Sequence, residues 1–343
     1  MDRKTDLIDS VETMNFRTTF NIDPSKNKIG YNTPVILIGS CFASEIGNKM
    51  AEGKMKVLIN PSGVVYNPVS VGNTIDIILE NRLFTETDLH QNKGMHFSFS
   101  HYTDFSSQDP SKTIDKINSA TRNANIFLKQ ARFLFITFGT AHVYRFKETE
   151  KIVSNCHKLP SSFFSEEILS VEEIASSWNE TLSKLHSFNN QLRIIFTISP
   201  VRHWKDGAHE NQMSKSILFL SVEKLLKHKA VEGYFPAYEL MMDDLRDYRY
   251  YAEDMLHPTQ TAIDYIWKAF SDCYFENETI TLWKELLSVS KAMNHRFLSD
   301  SRIDKIEFAD NILKRIFEIE RKNPSIILNE ARSYFMKIKN DII

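Results

Sequence analysis

The sequence predicts an α/β domain, a mainly parallel sheet covered by helices on both faces, followed by a helical extension. Three observations carry that prediction. Short continuous apolar runs at Val35–Ile38 ("VILI"), Ala131–Gly139 ("ARFLFITFG") and Leu192–Pro200 ("LRIIFTISP") read as strands buried on both faces. Segments of helical periodicity alternate with them, the pattern of strand–helix–strand crossovers. From about residue 276 the chain becomes charged and helical, with no further strand-like run.

The elements follow in order. Residues 1–30 read as a poorly structured leader, and Pro34 marks the entry to the first strand. A helix is expected from Ser44 to about Gly53, then a strand at Lys56–Pro61 ended by "NPSG". Residues 69–89 read as helical, and Phe97–Phe105 as an edge strand or loop. Helices are expected at 111–131, 171–188, Ser214–Leu226 and Thr259–Phe270, with a short strand at "EGYFPAYEL". This divides the chain into a leader (1–30), an α/β domain (31–275) and a helical extension (276–343) that could pack on the core or serve self-association.

Composition narrows the function classes. The 343 residues are 42% hydrophobic and 25% charged, enough for a large core. A net charge of -2 gives no electrostatic argument for nucleic acid or an anionic membrane as partner. The three cysteines, Cys41, Cys156 and Cys273, form no CxxC pair and no zinc spacing with histidine. Neither a disulfide scaffold nor a metal site is therefore expected, and a reducing, cytoplasmic setting fits best. The opening stretch carries charges throughout, so no signal peptide is expected. No run approaches the roughly 18 apolar residues of a membrane helix.

In an open parallel sheet, ligands bind where strands hand over to loops at their carboxyl ends. Right-handed crossovers gather those ends on one edge. Here they carry Gly39-Ser40-Cys41, Asn60-Pro61-Ser62-Gly63, Gly139-Thr140-Ala141-His142, Ser199 to His203, and Asp254 to His257. An ionised Asp254 accepting from one nitrogen of His257 would free the other to take a proton from a nucleophile. The local sequence by itself favours the plainer reading, Asp254 as a helix cap and His257 as a turn residue before Pro258. Ser40 could likewise be only a cap; as a nucleophile it would need His257 as base. Successive residues at a tight turn point in different directions. The expectation is that Ser40 faces the site and Cys41 packs inward as a small hydrophobe.

The blocks "FRTTF", "GSCFASEIG", "NPSGVVYNP", "FGTAHVY", "SPVRHWKDGAHENQMSK" and "DMLHPT" together resemble the bacterial GSCFA proteins, within the SGNH (GDSL-like) hydrolase superfamily. The resemblance runs from about residue 15 to 275. It implies a three-layer α/β/α, flavodoxin-like fold and serine esterase chemistry without a cofactor. Carried over, it makes Ser40 the nucleophile and Asp254 and His257 the rest of a triad, with the amides of Ser40 and Gly63 in the oxyanion hole. The superfamily's third block is normally Gly-x-Asn-Asp, whereas this chain has Gly139-Thr140-Ala141-His142. Losing one oxyanion donor costs about 2.7–4 kcal/mol, so a substitute is expected from Thr140, His142, His203 or Asn211.

The expected activity is hydrolysis of an ester or O-acyl bond on a small molecule or glycan, by the superfamily's habit an acetylated carbohydrate. Two other readings stay open: a non-catalytic or acyltransferase descendant using the same surface, and a cysteine hydrolase through Cys41. An oligomer through the C-terminal helices is also possible.

Overall fold

The computed structural model describes residues 17–297 and 301–340. Strand β1 (Val35–Gly39) leads into helix α1 (Cys41–Glu52), and β2 (Val57–Ile59) into α2 (Pro68–Leu79). A hairpin of β3 (His90–Asn92) and β4 (Met95–Phe97) precedes α3 (Pro110–Gln130) and β5 (Phe133–Phe138). A small antiparallel sheet follows, built from β6 (His142–Phe146), β7 (Lys151–Val153) and β8 (Phe164–Ile168). Next come α4 (Val171–Phe188), β9 (Arg193–Ile198), α5 (Ala208–Leu225), β10 (Val231–Phe235) and the single turn α6 (Ala237–Glu239). Helices α7 (Gln260–Tyr274), α8 (Asn277–Met293), α9 (Arg302–Lys322) and α10 (Asn329–Asn340) complete the chain.

The central sheet has the order β10-β9-β5-β1-β2, and every neighbouring pair is parallel. Side chains alternate across a strand, so each apolar run feeds two cores. Ile36, Ile38, Leu134, Ile136, Ile194 and Phe196 pack on one face against α2, α3, α4 and α5. Val35, Leu37, Phe133, Phe135 and Ile195 pack on the other against α1 and α7. Each such buried side chain contributes about 1.5–3 kcal/mol relative to exposure. The expected three-layer α/β/α architecture is the one observed.

Several expectations are corrected. Helix α2 stops at Leu79 rather than near residue 89, because Asn81 takes a positive φ of 47° and breaks the repeat. Helix α5 starts at Ala208, before Ser214, where Gly207 at φ 88° sets the entry. The β6–β7–β8 sheet is not foreseen, since its strands are short and half-polar. Residues 1–16 of the expected leader lie outside the described residues. The rest of it is fastened down: Ile29 is fully buried, and its amide donates to the Tyr274 carbonyl at 2.7 Å.

The C-terminal helices α8, α9 and α10 have their own apolar cluster, around Leu286, Ile316, Ile319 and Phe335. They join the α/β core through Trp283 of α8. Its indole N–H donates to the Lys49 carbonyl at 2.6 Å. Its ring lies so close to Gly53 that a Cβ there would be 2.0 Å from Trp283 Cδ1. No helix among the described residues is long and apolar enough to cross a membrane.

Replacing Trp283 by Ala removes this packing and orphans the Lys49 carbonyl. We expect a loss of roughly 3–5 kcal/mol in urea unfolding. Unchanged stability would mean that α8 does not hold the core.

Candidate active site

The site is built from the turn between β1 and α1. Gly39 has φ +143°, and a Cβ on it would lie 2.1 Å from the Thr137 carbonyl oxygen, so only glycine fits. Its amide donates to Asn60 Oδ1 at 2.8 Å, and Asn60 Nδ2 donates to Ser44 Oγ at 2.8 Å. The Val65 amide donates to the Gly39 carbonyl at 3.0 Å, and the Ser40 amide to the Thr137 carbonyl at 3.2 Å. Chain segments on both sides of β1 therefore hold the turn.

This turn reverses the expected orientation of Ser40 and Cys41. Ser40 occupies the N-cap of α1, yet its hydroxyl caps nothing, is fully buried and has no hydrogen-bond partner. Cys41, the first helical residue, lines a cavity of about 140 Å³ together with His257, Val201, Glu45 and Gln260. The physical reason is the turn itself. With its amide held to β5 and φ −67°, ψ 175°, Ser40 points into the molecule, and the next side chain emerges at the edge. Burial pushes the Cys41 thiol up, opposed by the Phe42 amide, by its own amide and by Lys215.

Asp254 and His257 meet as expected. Asp254 Oδ2 lies 2.6 Å from His257 Nδ1, while Oδ1 accepts the amides of Leu256 and His257 at 2.9 Å each. Those bonds, the backbone and side-chain ones from His257 first, hold the carboxyl down to about 2. An ionised carboxylate can only accept, so His257 Nδ1 carries a proton toward Asp254. The helix-cap alternative for Asp254 falls away, because Thr259 caps α7 by accepting from the Ala262 amide.

The oxyanion candidates divide. The Ser40 amide is engaged with Thr137, and the Gly63 amide with the Asn60 carbonyl at 2.7 Å, so neither is free as expected. Thr140 Oγ1 is committed to Ser214 Oγ at 3.0 Å and accepts the His142 amide. Asn211 accepts the His203 amide at 2.9 Å through Oδ1, leaving Nδ2 buried and unpartnered. His203 packs edge-on against Tyr66, with Nε2 facing Gly139. Burial, Lys215, His142 and His257 push it down to about 4, so it is neutral at pH 7 and carries one N–H. His142 belongs to a different cluster. With Glu166 and Asp206 it forms a set whose ligand-type atoms lie within 4.8 Å of one another. That trio could hold a metal ion and comes from three separate segments, so no local spacing reveals it.

Two site residues escape sequence reasoning. Lys215 of α5 is buried, and its ammonium donates to the carbonyls of Gly139 and Ser199 at 2.8 Å each, tying the ends of β5 and β9. Burial pushes it down to about 7, while Cys41 pulls it back up. Asn60 was visible only as a turn residue. A polar residue on a helix or in a turn gives no local sign of the distant backbone it binds.

A family model, GSCFA family, matches residues 34–270, most of the chain. No curated protein matches it.

The Asp254 geometry makes a sign-definite prediction. A carboxyl lowered in the fold supports the loop fully above its ordinary value near 3.9, and that support is lost as pH falls toward 2. Nuclear magnetic resonance of the Leu256 and His257 amides should show a transition near pH 2. A midpoint near 4 would contradict the bonded loop.

Proposed function

We propose, from the premise that the chain belongs to the GSCFA family, that it hydrolyses ester or O-acyl bonds through an acyl-enzyme on Cys41. The observation that carries this reading is that Cys41 and His257 line one cavity, with His257 locked by Asp254. Cys41 Sγ attacks the acyl carbon and His257 Nε2 takes the thiol proton. His257 then gives that proton to the departing alkoxide. Water, deprotonated by the same nitrogen, attacks the thioester carbon; the C–S bond breaks to release the acid, and the proton returns from His257 to Cys41 Sγ. Asp254 keeps the ring in the required tautomer and balances the imidazolium.

Burial disfavours the free thiolate, so the proton transfer to His257 has to accompany attack. The amides of Cys41 and Phe42 open α1 beside the sulfur and suit the developing oxyanion. Asn211 Nδ2 and the His203 N–H are the remaining donors to stand in for the superfamily's asparagine. The sheet order and the strand-end location support an SGNH-type hydrolase. An acylated carbohydrate is the substrate class, and a reducing cytoplasm would keep Cys41 a free thiol.

A second reading keeps Ser40 as nucleophile. The observation in its favour is that the Ser40 hydroxyl is buried without any partner, a state that costs about 1–3 kcal/mol. It would require the turn to open.

Turnover of p-nitrophenyl acetate by Cys41→Ala, Ser40→Ala and His257→Ala separates these readings. Cys41→Ala and His257→Ala should lose roughly 10³-fold or more in kcat/KM, and Ser40→Ala should stay near wild type. Loss confined to Ser40→Ala and His257→Ala would transfer the role to Ser40. No turnover above buffer by any form would leave a binding protein, and equal turnover above buffer by all forms would remove these residues from the chemistry.

A further inference from the structure

We propose that a second, larger cavity beside Asp254 receives the leaving group, and that it selects a ring bearing a carboxylate or phosphate, bound by Arg202. This rests on the hydrolase reading above and adds a substrate class to it. The cavity measures about 550 Å³ and is bordered by Arg202, Trp204, Tyr248, Tyr251, Asp254 and Leu256. Asp254 forms its wall and is bonded to His257, so a group held there lies next to the reacting centre.

Charge accounting points to an anion. Arg202 has no carboxylate partner among the described residues, and its Nε is buried without a hydrogen bond. Its guanidinium lies 5.2 Å over the Trp204 ring. The acids of the cavity are already engaged. Asp247 accepts the Arg249 amide at 3.0 Å and pairs with Arg249 Nε at 3.3 Å, while both oxygens of Asp254 are used by its own loop. The other cavity arginine, Arg246, faces Asp243 at 3.7 Å. Arg202 therefore brings an uncompensated positive charge, in a fork that matches the two oxygens of a carboxylate or phosphate.

The walls supply the ring preference. Trp204 is 50% exposed and Tyr248 81% exposed, accessible aromatic surface against which a sugar ring can pack. The volume falls within the ordinary range for small-molecule sites, roughly 300–1,000 Å³.

Binding, read by calorimetry on the full chain, tests this without requiring turnover. Glucuronate (carboxylate) and glucose 6-phosphate (phosphate) are compared with neutral methyl glucoside. At least one anion should bind about ten-fold or more tighter than the glucoside, and which one does names the anion. Arg202→Gln should abolish that preference, and Arg202→Lys should restore part of it by returning the charge without the fork. The proposal is overturned if no probe binds, if the glucoside binds as tightly as both anions, or if Arg202→Gln keeps the preference. Esterase turnover with no anion preference sinks this subsite alone. Anion preference with no turnover sinks the hydrolase reading alone.

Discussion

The hydrogen bond from the Gly39 amide to the Asn60 side chain is the constraint on which the functional edge depends. It ties the end of β1 to the end of β2, and the same side chain reaches Ser44 on α1. With Gly39 at φ +143° and the Ser40 amide bound to β5, the chain has one way to leave the sheet. That exit buries Ser40 and places Cys41 on the cavity that His257 also lines. A single turn thus decides which of two adjacent side chains shares a cavity with His257.

Charges of both signs surround the Cys41 sulfur: Lys215 favours its thiolate and Glu45 opposes it. Lys215 lies beneath the ends of β5 and β9, and Arg202 and His203 follow β9 on the same edge. Burial holds Lys215 down to about 7 and His203 to about 4, so the edge gains charge as pH falls. A protonated Lys215 favours negative charge on the Cys41 sulfur, against Glu45 and the cost of burial. Lys215 does this while satisfying two strand-end carbonyls, which binds the electrostatics to the architecture.

Much of this was legible in the sequence. The runs of β1, β5 and β9 are apolar on both faces because each strand feeds two cores, and that pattern survives without any tertiary knowledge. The pairing of Asp254 with His257 was readable only through the block resemblance, since the local sequence fits a helix cap and a turn residue as well. The orientation of Ser40 against Cys41 was not, because it depends on bonds from Asn60, Val65 and Thr137, which are remote in sequence. The β6–β8 sheet and the buried role of Lys215 were hidden for the same reason. Local pattern reports burial and period, and it is silent about which distant backbone group a polar side chain will satisfy.

The central claim is that the turn aims Cys41, and not Ser40, at His257. Locating the acyl group answers it most directly. The protein is mixed with p-nitrophenyl acetate, quenched in acid within the first turnover, digested, and the peptide spanning the turn is fragmented in a mass spectrometer. The account predicts an acetyl group on Cys41, removed by neutral hydroxylamine as a thioester is. An acetyl group on Ser40 that resists neutral hydroxylamine would contradict it.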